Sequence, residues 1–201
     1  MRYLVNKLTG GRVLNIGVGG GTFEEVASKQ GADVYSLDPS EKAISVLADR
    51  LGMKGKAKVG HSQNIPFKNE FFQDVVISEV IEHLPDRDLQ KTLEEVQRVL
   101  IPGGRIIGTV PANERLSDQF VICPHCGDGF HRWGHVQGFN PLRIAALLGG
   151  YFKVEEISTH LFLTWSLLNW KGKILGFVKK LLFGLGVHGN NEIIVFVGIK
   201  P

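Results

Sequence analysis

Three groups of residues in this 201-residue chain have types and spacings that can do chemistry. The first is Val13–Phe23, VLNIGVGGGTF, where an apolar run stops on Gly17, Gly19, Gly20 and Gly21 and a helical pattern follows. Glycine reaches positive φ and lets a ligand lie against the backbone with no Cβ between. The helix start adds unpaired N–H groups. Asp38 follows about 20 residues later, the place from which a carboxylate accepts hydrogen bonds from ribose hydroxyls. The second group is EVIEHLPD, with His83 beside Glu79 and Glu82. A histidine here suits a general base for a hydroxyl, carbon acid or ammonium; the alternative is a loop hydrogen bond ordering the turn before Pro85. The third is CPHCGDGFHRWGH, in which Cys123, Cys126, His131 and His135 follow C-x2-C-x4-H-x3-H. Four such ligands suffice for a tetrahedral zinc site. Gly127-Asp128-Gly129 makes a turn there, unlike the helix start of a thiol oxidoreductase. An unmetallated thiol pair with two pocket histidines is the other reading.

Elements that would position these residues follow from the apolar pattern. Arg12–Ile16, Asp33–Leu37, Asp74–Ser78 and Arg105–Val110 read as buried strands. Helical periodicity lies between them at residues 22–30, at Ser40–Leu51 with Ala43, Leu47 and Leu51 on one face, and after Pro85-Asp86. In the last of these Leu89, Leu93, Val96 and Leu100 form the stripe and Pro102–Gly104 ends it. Pro141–Leu148 reads as a helix, and Phe152–Ser158 and Ile193–Ile199 as strands. Alternating strand and helix means a doubly wound α/β sheet with helices on both faces, and ligands bind such sheets beyond the strands' carboxyl ends.

Composition bounds the rest. With 43% hydrophobic residues, 21% charged and a net charge of +3, the chain suits one globular domain, residues 1–201. Insertions are expected at about residues 111–139 (Cys/His-rich) and about 160–191 (apolar and basic). Nothing in MRYLVNKLTGGRVLNIG reads as a signal peptide, and two cysteines three apart build no disulfide framework, so a reducing cytoplasm is expected. Between Ile157 and Asn191 there is no acidic residue but there are Lys171, Lys173, Lys179 and Lys180. On a helical wheel Lys173, Lys179 and Lys180 oppose Ile174, Phe177, Val178, Leu181, Leu182 and Leu185. Gly172, Gly176, Gly184 and Gly186 weaken that helix. Peripheral membrane contact and a lid or homodimer face are the two uses of such a segment, and the glycines favour the lid. Either suits a small-molecule or lipid-linked acceptor. No basic-aromatic platform for nucleic acid is present.

At this point the sequence resembles the Rossmann-like S-adenosylmethionine-dependent methyltransferases, in particular the quinone-biosynthesis group. RVLNIGVGGG is similar to the family's first motif, SLDPS to its ribose-binding acid, NIPFKNEFFQDVVISEVIEHLPD to its middle block and RVLIPGGRIIGTVP to its late helix-turn-strand. The resemblance implies a mainly parallel seven-stranded sheet with an antiparallel last strand, and S-adenosylmethionine as cofactor. It places Asn15, Gly17, Gly19 and Gly21 under the methionine part, Asp38 on the ribose, His61 and Ser62 by the adenine, and Ser78 and Glu79 beside the sulfonium. Asn15 and His61 stand where the family usually has acids, which leaves open a cofactor-binding module without methyl transfer. A nicotinamide dehydrogenase is disfavoured, because Thr22 occupies the last small position of G-x-G-x-x-G/A.

Overall fold

The computed structural model describes residues 1–163, 165, 168–189 and 192–201; Thr164, Ser166, Leu167, Asn190 and Asn191, all within the 160–191 insertion, lie outside the described residues. The strands are β1 (Arg12–Ile16), β2 (Asp33–Asp38), β3 (Ala57–Val59), β4 (Phe72–Ser78), β5 (Leu100–Pro111), the short β6 (Phe120–Ile122) and β7 (Gly129–His131), β8 (Lys153–Leu161) and β9 (Glu192–Ile199). The helices are α1 (Arg2–Val5), α2 (Thr22–Lys29), α3 (Glu41–Leu51), α4 (Asp86–Val99), α5 (Pro141–Gly149) and α6 (Trp170–Gly184). Seven strands form one sheet in the order β3-β2-β1-β4-β5-β9-β8, and β6 pairs with β7 in a separate hairpin. The pairs among β1 to β5 are parallel. β9 runs antiparallel to both β5 and β8.

Why these runs are so apolar follows from the two-faced burial of the sheet. Neighbouring strand residues point to opposite faces. Leu14, Val75, Ile106 and Phe196 pack on one side with Leu93 and Val96 of α4 and Ile144 and Leu148 of α5. Val13, Val76, Ile107, Val195 and Val197 pack on the other with Phe23 and Ala27 of α2 and Ile44 and Leu47 of α3. In α3, Ile44 rather than Ala43 shares the fully buried face with Leu47. Strand order reverses between β1 and β4, so the carboxyl ends of these two strands frame the crevice at the switch point.

Three expectations are corrected. Helix α4 ends at Val99, because Leu100 already pairs with Phe72 in the sheet. Pro102–Gly104 therefore lies within β5, at the register shift between Phe72 and Asp74 rather than in a free turn. The glycines do not break α6, which runs unbroken for 15 residues. Its start is fixed by Asn169, whose side chain accepts from Gly172 N–H at 2.8 Å. Gly176 is its buried residue and faces Leu163, Trp165 and Leu168, which an added Cβ would meet at ordinary contact distances of 3.4–3.5 Å. No described helix is long and apolar enough to cross a membrane.

Candidate active site

The glycine loop leaves β1 at the switch point. Gly17 has φ +85°, and a Cβ there would stand 2.6 Å from Val80 Cγ2, so glycine is required on both counts. Gly21 caps α2 in the left-handed region, φ +72°, with Arg50 of α3 directly against it. Asp38 braces this loop: its Oδ2 accepts from Val18 N–H at 2.9 Å and its Oδ1 from Ser40 N–H at 2.8 Å. A cavity of about 380 Å³ opens here, lined by Asn15, Gly17, Gly19, Asp38, Ser78 and Glu79 among others.

Asn15 is buried, and its Nδ2 donates to Glu24 Oε1 at 2.7 Å and, more weakly, to Gly17 O at 3.3 Å. Ser36 donates to the same Glu24 oxygen at 2.9 Å. The acceptor-only carboxylate fixes the amide orientation, which leaves Asn15 Oδ1 as the atom free to accept from a ligand. A buried acid therefore stands behind Asn15, supplied by α2. Sequence reasoning missed Glu24, which reads there as an ordinary first-turn acid.

Of the residues assigned to adenine, neither reaches this cavity. His61 is exposed. Ser62 is buried, and its hydroxyl is hydrogen-bonded to Thr92 of α4 at 2.8 Å.

At the end of β4, Ser78 donates to Thr109 Oγ1 at 2.7 Å, and Thr109 donates to Glu79 Oε1 at 2.9 Å. Glu79 sits at φ +54°, a conformation rarely adopted by non-glycine residues and one that gathers at functional sites. Burial raises its carboxyl above the usual range. Glu79 also lines a second, larger cavity of about 560 Å³, with His83, Glu114, Trp133, His135, Phe162 and Ile193. The two cavities meet at this residue.

The second cavity holds the histidines. His83, in a 3-10 turn over Ile81–His83, hydrogen-bonds through Nδ1 to Gly134 O at 3.2 Å. A carbonyl only accepts, so Nδ1 carries the proton and Nε2 the lone pair. Burial is the main cause that lowers the His83 pKa. His135 Nδ1 lies 2.5 Å from Glu114 Oε2. Donation to that carboxylate likewise leaves His135 Nε2 as an acceptor. The His83 and His135 rings meet edge-on with centroids 4.8 Å apart. Glu82 is 1% exposed, and neither of its carboxylate oxygens has a hydrogen-bond partner. Burial, with Glu79 adding, pushes its pKa up to about 8. One ligand atom each of Glu82, His83 and His135 lie within 4.8 Å of one another.

The expected set of Cys123, Cys126, His131 and His135 is not assembled. Antiparallel pairing puts His131 opposite Phe120 at the base of the β6–β7 hairpin. The cysteines sit in its turn, three residues or about 10 Å along the strand from Phe120. His131 and His135 instead converge on Glu114. His131 Nδ1 accepts from His135 N–H at 3.1 Å, so its proton sits on Nε2, 3.6 Å from Glu114 Oε1. That Nε2 is buried without a hydrogen-bond partner, and carrying the proton it has no lone pair to spare for a metal. Glu114 was also missed, since nothing in its local sequence marks it.

A doubly wound sheet with a glycine loop and a strand-end acid at its switch point defines a domain for a nucleoside-type cofactor. The comparisons sharpen that class. Residues 14–108 match the family model described as "Methyltransferase domain". A ubiquinone biosynthesis O-methyltransferase of Rhizobium etli is 34% identical over 129 residues, 63% of this chain and 50% of that protein. The chain spans about half the length of the curated relatives it matches. The crystal structure of a SAM-dependent methyltransferase from Methanosarcina mazei superposes with a TM-score of 0.72 at 16% identity, covering 100% of this chain and 97% of that one. The N-methyltransferase NodS from Bradyrhizobium japonicum, solved with S-adenosyl-l-homocysteine, gives 0.65 at 17% identity over 100% and 83% of the two chains. Residues 14–108 thus match a methyltransferase domain, and they lie in a fold shared with the Methanosarcina mazei protein.

Proposed function

We propose that this protein transfers the methyl group of S-adenosylmethionine to a hydroxyl of a small, apolar or lipid-linked acceptor. The observation that carries this reading is the junction of the two cavities at Glu79. Cofactor in the glycine-lined cavity and acceptor in the histidine-lined one would meet there. The methyl transferred from a sulfonium needs chiefly a nucleophile held in line at about 3–3.5 Å. The quinone-type relatives, O-methyltransferases by name, support a hydroxyl acceptor. Asn15 Oδ1 is placed to accept from the ammonium of the methionine part, and Asp38 to accept from the ribose.

A hydroxyl loses a proton as its oxygen takes the methyl and the carbon–sulfur bond breaks. His135 is the better base of the two histidines. Glu114 holds its ring and stabilises the imidazolium that forms, as an orienting carboxylate does in other His-acid pairs. His83, the base expected from sequence, has only a carbonyl behind it.

A second reading rests on the unpartnered oxygens of Glu82. Glu82, His83 and His135 are a two-histidine, one-carboxylate set, and both rings donate their other N–H to an oxygen, the arrangement that orients metal-ligating histidines. A divalent ion bound there would act as a Lewis acid toward the acceptor oxygen. The cysteines take no part. Metal analysis separates the readings: Cys123→Ser/Cys126→Ser should leave any bound metal in place, whereas Glu82→Gln and His83→Ala should each remove it. Metal lost only in the cysteine variant would restore the hairpin turn as the metal site.

Calorimetry with S-adenosylmethionine, S-adenosylhomocysteine and NAD tests the main reading. Binding of the first two and not the third is expected. Tight NAD binding would overturn it, and cofactor binding with no turnover of any hydroxylated acceptor would leave only a binding module.

A further inference from the structure

The face of α6 that the sheet leaves uncovered is unusual for a surface helix. The helix rests on the protein through Gly176, against Leu163, Trp165 and Leu168, and through the half-buried Phe183. At 100° per residue these two positions mark one side. Directly opposite, within an arc of about 140° that Lys171 interrupts, fall Trp170, Ile174, Phe177, Val178, Leu181, Leu182 and Leu185. All seven are exposed, from 41% for Leu182 to 72% for Leu185. Most of the apolar face therefore points away from the molecule, and no residue of α6 lines the acceptor cavity. Among the described residues of the 160–191 segment, Phe162 lines that cavity.

Charge selects the occupant. Lys171, Lys173, Lys179 and Lys180 are all exposed, and no acidic residue lies between Ile157 and Asn191. A second copy docked on this face would leave Lys173, Lys179 and Lys180, on the other side of the helix, with no carboxylate of the segment to pair them. An anionic lipid surface satisfies both features, taking the apolar face into the acyl boundary and the lysines into the headgroups. Trp170, at the start of the helix with Lys171 over its ring at 5.5 Å, suits that boundary.

We infer that α6 docks this protein flat on an anionic membrane surface, by the face centred on Phe177, Val178 and Leu181. The helix is about 22 Å long and lies in the interface without spanning it. It also adjoins the acceptor cavity: Glu192 lines that cavity and a smaller one walled by Lys179, Leu182 and Phe183 of α6. Docking would hold the mouth of the acceptor cavity near the lipid. The membrane inference itself does not depend on methyl transfer.

The test is co-sedimentation of the full chain with phosphatidylglycerol-containing and with pure phosphatidylcholine vesicles, at low and high salt. Binding should favour the anionic vesicles and weaken with salt. Each lysine near the surface contributes about 1 kcal/mol, about fivefold in partitioning, so Lys173→Glu/Lys179→Glu/Lys180→Glu should lower binding by at least about 100-fold. Phe177→Asp/Leu181→Asp should abolish it. These side chains are exposed, so both variants should keep wild-type binding of S-adenosylhomocysteine, which separates membrane contact from the cofactor reading. Absence of vesicle binding by the wild type would overturn the inference. So would binding that ignores salt and the lysine changes, or a dimer in solution broken by Phe177→Asp/Leu181→Asp without any vesicle binding.

Discussion

Replacing His135 with alanine is expected to lower the rate of methyl transfer by about 10²–10⁴-fold, the range a positioned general base supplies. Affinity for S-adenosylhomocysteine should not change, because His135 lines the acceptor cavity and not the glycine-lined one. Glu114→Gln should cost less. The glutamine carbonyl can still accept the Nδ1 proton and hold the ring, but it no longer stabilises the imidazolium. His83→Ala is the discriminating variant. If His135 acts alone as base, this change removes an edge-on ring contact and the hydrogen bond to Gly134 O, and activity stays within a small factor of wild type. If the two histidines and Glu82 hold a divalent ion, His83→Ala falls as far as His135→Ala and a chelator reproduces the loss. Wild-type turnover in His135→Ala, with or without chelator, would remove the residue from both readings.

How far the sequence reveals this molecule depends on whether the partner of a residue is local. Val13, Leu14, Val75 and Val76 announce a sheet buried on both faces, because each needs an apolar neighbour whichever way it points. The glycine loop and Asp38 are legible for a similar reason: their spacing along one strand-helix-strand unit fixes their meeting. Glu114 is not, because it meets His135 only after the chain has passed out and back through the β6–β7 hairpin. Glu24 is hidden in the same sense, since its burial depends on Asn15 and Ser36 from two different strands. The cysteine-histidine spacing misleads because a metal motif assumes that the chain folds back on itself within those thirteen residues. The hairpin does fold back, but its ladder keeps His131 at the base and the cysteines in the turn. In α6, glycine propensity argues against a helix by about 1 kcal/mol per residue. The helix forms all the same, with the Asn169 side chain capping its start.

The other large effect is expected at Asp38. Its carboxylate already accepts two backbone N–H groups, from Val18 in the glycine loop and Ser40 before α3. Each oxygen still has a lone pair for a ribose hydroxyl. Asp38→Ala should therefore weaken S-adenosylhomocysteine binding by about 10–100-fold, the equivalent of one charge-assisted hydrogen bond of about 1.5–3 kcal/mol. Loosening of the loop would add to that loss, so the ribose contact has to be separated from the brace. Asp38→Asn keeps part of the brace. Its one remaining carbonyl oxygen can keep one of the two backbone donors, while its NH₂ faces the other and cannot accept from it. A melting temperature for each variant measures the brace, and calorimetry measures the ligand. If Asp38 holds the ribose, an analogue lacking the ribose hydroxyls should bind wild type and Asp38→Ala with similar affinity, whereas S-adenosylhomocysteine should distinguish them. If both ligands weaken together and in step with the melting temperature, Asp38 serves the loop alone. The carboxylate stands at the carboxyl end of β2, within the lining of the glycine cavity, and that position makes the ligand-specific outcome the expected one.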